Sequence, residues 1–111
     1  MTETDKVEIS QLSNLISSDF TKNGLEIVKP DDLNNLNELR NFLTEKISEM
    51  LDKKFDLLIN TLYLIDVNEE KVNELFAADN RDFIPSALAG LVIERQLQKL
   101  NYRRMYREGR I

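Results

Sequence analysis

Between Asp31 and Ile65 there is neither glycine nor proline, and apolar side chains return at three- and four-residue spacing: Leu33, Leu36, Leu39, Leu43, Ile47, Met50, Leu51, Phe55, Leu58, Leu62 and Ile65. That period belongs to one face of an α-helix, because residues three and four apart stack above one another whereas a strand alternates every second residue. Pro30 suits a first helical turn, and Asp31 and Asp32 place carboxylates near the positive end of the helix dipole. The sequence therefore predicts one helix over 31–65, roughly 50 Å long at 1.5 Å per residue. In a chain of 111 residues such a helix leaves room for a single core built around it, so one domain is expected over 1–111.

The flanking segments are shorter. Residues 1–7 are polar and acidic and read as a frayed end. From Val7 to Phe20 the residues Ile9, Leu12, Leu15, Ile16 and Phe20 recur at helical spacing, after which Asn23-Gly24 either ends a helix or turns a hairpin between 19–22 and 25–28. Residues 8–28 thus fit helix or hairpin.

Asp66-Val67-Asn68-Glu69-Glu70 resembles the start of a calcium loop in composition only. Such a loop needs glycine at its sixth position and glutamate at its twelfth, and Lys71 and Ala77 stand there. As a helix start the segment works: Asp66 with Glu69 three residues on makes a capping box, and Asn68 is an alternative cap, for a short helix over 67–78. Asp82 with Pro85 in the first turn begins a last helix over 83–107, apolar nearly all round at its start. Ser86, Ala89 and Gly90 keep one of its sides thin, which would let another helix cross closely. The expected fold is all-α, a small bundle of three to four helices with one long central helix.

Composition narrows the function. With 41% apolar residues and only three Gly and two Pro, the chain is too hydrophobic for disorder and too poor in breakers for an all-β fold. Without cysteine or histidine it has no thiolate nucleophile, no zinc site of the usual kind and no imidazole base. An enzyme would have to use groups such as Tyr63, Asp66 or Glu94, for which nothing speaks beyond their presence. No catalytic, metal or cofactor role is expected. The first eight residues lack the basic start of a signal peptide, and the longest apolar or small stretch, Ala87 to Ile93, falls far short of the roughly 20 residues that span a bilayer. A cytoplasmic location is expected.

The stretches FDLLINTLYLIDVNEEKV (55–72) and LVIERQLQKL (91–100) resemble a family of small, uncharacterised bacterial helical proteins. In that family a Leu-Tyr-x-Ile-Asp-Val stretch precedes a short helix and an Ile-Glu-Arg-Gln-Leu-Gln-Lys stretch lies in the last one. The matching residues here are Leu62, Tyr63, Ile65, Asp66 and Val67, then Ile93 to Lys99. The likeness covers roughly Phe55 to Arg104, leaves the first 50 residues aside, and implies a cytoplasmic bacterial protein without assigning a catalytic residue.

Charge is divided along the chain. Residues 1–80 hold 8 Lys and Arg against 17 Asp and Glu, a net of −9, and residues 81–111 hold 7 against 3, a net of +4. On the predicted long helix Glu45, Glu49, Asp52 and Asp56 follow a 4, 3, 4 spacing and fall within an arc of roughly 60°. The last helix ends in Arg103, Arg104, Arg107 and Arg110 with Tyr102 and Tyr106 beside them. Leu33, Leu36, Leu39 and Leu43 extend beyond the reach of a shorter last helix and are candidates for self-association. These features point to a protein–protein interaction module, a homodimer through the leucine row, with Arg103, Arg104, Tyr106 and Arg107 and the four acidic residues as contact sites. A second copy, with its own acidic face, is one candidate for the arginines. The alternative is a nucleic-acid accessory protein using the same Arg/Tyr segment, against which the net charge of −5 weighs.

Overall fold

Two helices, not one, carry the apolar stripe over 31–65 in the computed structural model, which describes the backbone of residues 3–109 and the side chains of residues 8–109. The described residues form five helices and no strand: α1 (Glu3–Lys22), α2 (Leu36–Lys53), α3 (Phe55–Ile65), α4 (Glu69–Ala77) and α5 (Ile84–Arg107).

The expected long helix begins later than predicted and is interrupted once. Pro30-Asp31-Asp32 does not start it. Instead Asn35 is the cap, its side chain accepting from the Glu38 amide at 2.9 Å, while the Glu38 carboxylate accepts from the Asn34 amide at 3.2 Å. This two-way arrangement satisfies amides that a helix start leaves open. The interruption falls at Lys54, with φ −141° and ψ 47°. Core positions run Leu39, Leu43, Ile47, Met50, then Leu58, Leu62, Ile65. The predicted stripe runs through Leu51 and Phe55 instead, but Leu51 is half-buried and Phe55 is 45% exposed. The kink leaves Lys54 exposed and lets α3 re-aim its own stripe at the core.

α1 is a helix and not half of a hairpin, and its backbone is helical from Glu3, inside the end expected to fray; Met1 and Thr2 lie outside the described residues. It ends at Gly24, where φ is +89°, the Leu25 amide donates to the Phe20 carbonyl at 2.9 Å and the Gly24 amide to Thr21 at 3.1 Å. These are the two bonds of a Schellman motif, with the following apolar residue, Leu25, buried against the helix it terminates. Ile27 is buried too, and Ser17 Oγ donates to its carbonyl at 2.9 Å, so the segment after the turn lies on α1.

α3 ends in the same motif: Val67 donates to Leu62 at 3.1 Å and Asp66 to Tyr63 at 3.0 Å, with Asp66 at φ +69° where glycine is usual. Asp66 therefore closes α3 and does not cap α4. Asn68 caps α4, accepting from the Lys71 amide at 3.0 Å. α4 has no fully buried residue and rests mainly on α5 through Val72, Leu75 and Phe76. Phe55 meets Phe76 edge to face, ring centroids 5.8 Å apart. α5 begins at Ile84 after Phe83, so Asp82 is not its cap, while Pro85 sits in the first turn as expected.

The largest helix contact joins α2 and α5. Leu39, Leu43 and Ile47 of α2 share the core with Ile84, Leu88, Ala89 and Val92 of α5, and α1 adds Leu12, Ile16 and Phe20. This changes the role of the leucine row. Leu39 and Leu43 are 2% and 1% exposed, Leu33 is half-buried, and only Leu36, at 44%, is open to solvent. A 20-residue α1 together with α5 covers what the sequence left bare.

Gly90 makes room for a side chain, not for a crossing backbone. Arg40 of α2 reaches over it, Nη2 donating to the Ser86 carbonyl at 3.1 Å, and a Cβ on Gly90 would lie 3.3 Å from that nitrogen. Because the guanidinium is the far end of an exposed side chain, it can yield by a few tenths of an ångström. Replacing a mid-helix glycine with alanine gains up to ~1 kcal/mol of helix propensity. Gly90→Ala is therefore expected to raise stability by about 0.5 kcal/mol in urea unfolding; a loss would mean that Arg40 is held too firmly to move.

Candidate interaction surface

α1 and α5 run antiparallel, Asp19 lying by Gln96 and Glu8 by Arg104, so the end of α5 emerges beside the start of α1. From Asn101 to Gly109 every side chain is exposed except that of Arg104, which is half-buried. Arg104 Nη2 donates to Glu8 Oε1 at 3.0 Å. The arginines thus divide. Arg104 anchors the helix end, while Arg103 and Arg107 have no hydrogen bond or ion pair with any described residue. Tyr102 and Tyr106 are 62% and 71% exposed. With Leu100 and Gln11 they border an open groove of about 540 Å³. Arg110 lies outside the described residues. Basic side chains favour this end of a helix because its last carbonyls are negative.

Such a groove can hold anions. Each free guanidinium offers a planar fork of donors for carboxylate or phosphate, and the tyrosine rings add apolar area with a polar tip.

The acidic residues are brought together only in part. Glu45, Glu49 and Asp52 lie on one face of α2, all exposed and none in an ion pair or side-chain hydrogen bond. Asp56 belongs to the first turn of α3, beyond the kink at Lys54, so the predicted arc of four is broken.

A polar seam that the periodicity did not reveal runs along α5 one turn before the groove. Gln96 is fully buried, its Nε2 donating to Asp19 Oδ2 at 2.7 Å while its Oε1 finds no donor. Arg95 Nη2 donates to Asp66 Oδ2 at 3.2 Å, which ties α5 to the end of α3. Asp66, Asn68, Lys71, Glu94, Arg95 and Gln98 line a cleft of about 310 Å³ with charges of both signs. Tyr63 does not line this cleft. Burial lowers the pKa of Lys99, Asp19 and Asp66 pull it back up, and Arg95 and Arg103 push it further down. A glutamine in an amphipathic helix ordinarily faces water, so no sequence signal marked Gln96 as buried.

The fold and surface define a small all-α protein with a basic aromatic helix end and an acidic helix face. Comparison with family models, with curated proteins and with solved structures finds no match to this chain.

Two predictions arise from the seam. Asp66 is held by its backbone more than by its charge, since its side chain is 83% exposed in the pair with Arg95 and exposed pairs contribute about 0–1 kcal/mol. Asp66→Asn, which tolerates positive φ, should change urea stability by less than about 0.5 kcal/mol, whereas Asp66→Val should cost about 1–2 kcal/mol. Equal effects would show that the ion pair dominates. For Lys99, a folded-state pKa below the ordinary 10.5 means that burying its charge opposes folding at neutral pH. As pH rises through the folded pKa the folded protein loses that proton first, and the penalty fades by 10.5. Lys99→Met should therefore be the more stable form at pH 7, with its advantage over wild type shrinking toward pH 10. An advantage that grows with pH would contradict the assignment.

Proposed function

We propose that this chain is a protein–protein interaction module that docks an acidic partner surface on the end of α5. The observation that carries the reading is the division of the arginines. Arg103 and Arg107 stand exposed and unpaired beside two exposed tyrosines, on a helix end that Arg104 fastens to Glu8. Tyrosine, arginine and methionine are enriched at the centres of protein interfaces, and Met105 is exposed in the same turns. A cytoplasmic location suits this role, and no helix among the described residues is long and apolar enough to cross a membrane.

Nucleic acid is the second reading, favoured by the same pairing of arginine forks with stacking rings. The net charge of −5 opposes it, because long-range repulsion from phosphate acts on the whole chain.

The test is affinity capture from native lysate with wild type and with Arg103→Glu/Arg107→Glu, each with and without nuclease. Arg104 is left intact to keep the anchor to Glu8, and circular dichroism confirms that the variant is folded. Protein partners that survive nuclease and are lost from the variant are the expected result. Captured nucleic acid, or proteins that nuclease releases, would replace this reading with the second.

A further inference from the structure

We infer that the acidic surface docked by the end of α5 is the α2 face of a second copy of this chain. The inference rests on the interaction reading above and goes beyond it by committing to the partner.

Both surfaces are complete and neither is used within the protomer. Among the described residues the only ion pairs are Arg95–Asp66 and Arg104–Glu8. Glu45, Glu49 and Asp52 remain exposed on one side of α2, and Arg103 and Arg107 remain exposed on α5. Like charges three and four residues apart oppose the helix that carries them. Lys53, one turn on from Glu49, relieves this only in part, and a second copy of the chain presents a further cation surface.

The registers agree. Arg103 and Arg107 are one turn apart, a rise of about 6 Å, and so are Glu45 and Glu49. Two helices laid side by side bring both pairs together at once, in either direction. Asn41 and Ser48 are exposed beside the acidic stripe and offer an amide and a hydroxyl there. Lys46 does not compete for the acidic residues, since its ammonium lies over the ring of Phe42 at 5.8 Å from the centroid.

The contact joins unlike surfaces, so when both copies use it reciprocally it closes into a dimer. Its charges are exposed, which makes it weak and sensitive to salt.

Sedimentation velocity of the purified full chain from about 1 to 500 µM, at 50 and 500 mM NaCl, tests this. The 13.0 kDa monomer should give way to a larger species at high concentration and low salt, with apparent affinity falling at least about tenfold at high salt. R103E/R107E and E45R/E49R should each be monomeric under the same conditions. Mixed in equal amounts they should associate again, because the reversed tail of one matches the reversed face of the other and the two native surfaces remain to pair. Wild type that stays monomeric throughout overturns the inference. So does association that ignores either reversal, or a mixture that does not recover. The interaction reading stands even then if the captured partner is lost with R103E/R107E and kept with E45R/E49R.

Discussion

The apolar face of α2 meets that of α5 in the most extensive helix contact of the molecule, and the other elements are arranged around it. Leu39, Leu43 and Ile47 on one side and Ile84, Leu88 and Val92 on the other are all nearly or fully withdrawn from water. Truncating any of them to alanine would leave a cavity costing about 2–5 kcal/mol, a large part of the stability of a domain this size. α1 closes one side of this pair and α3 the other end. α4 adds half-buried side chains at the edge, where local opening is easiest.

Helical periodicity carried most of this arrangement into the sequence. Ile9, Leu12, Ile16 and Phe20 are buried as their spacing requires, as are Leu58, Leu62 and Ile65. What it hid were local competitions. Asn35 starts α2 later than Pro30 and the two aspartates suggested, because a side-chain oxygen on the Glu38 amide satisfies an open donor directly, whereas charge near a dipole only favours one. Lys54 stops α2 without being a breaker residue. The apolar spacing passes over it, from Leu51 to Phe55 and Leu58, so nothing in the register marks the break. Asp66 was legible as a capping type, but the side it caps depended on whether α3 would end in a left-handed turn.

The charged surface features were legible in type and less so in place. The Arg/Tyr cluster is exposed at the end of α5, and three of the four acidic residues share a face. The leucine row is not the exposed surface that the helix lengths suggest, because α1 is long enough to help cover it. Removing that row from the surface shifts weight to charge. With 32% of its residues charged and two ion pairs among those described, the protein keeps most of its charge facing solvent.

Two polar contacts decide which charges those are. Gln96 bonded to Asp19 and Arg104 bonded to Glu8 hold α5 against α1 at points eight residues apart on α5. The buried one carries a cost, since the Gln96 Oε1 has no donor and an unmade bond of this kind costs about 1–3 kcal/mol. A leucine at 96 would avoid that cost but would give up the directed bond to Asp19, which adds to the core packing in fixing where α5 lies on α1. A slip of one turn, about 5.4 Å, would replace Arg104 at Glu8 by another residue and carry a different side chain into the core. Register therefore links the interior to the surface: it ties Arg104 down and leaves Arg103 and Arg107 free. The polar seam is best understood as the element that aims the end of α5.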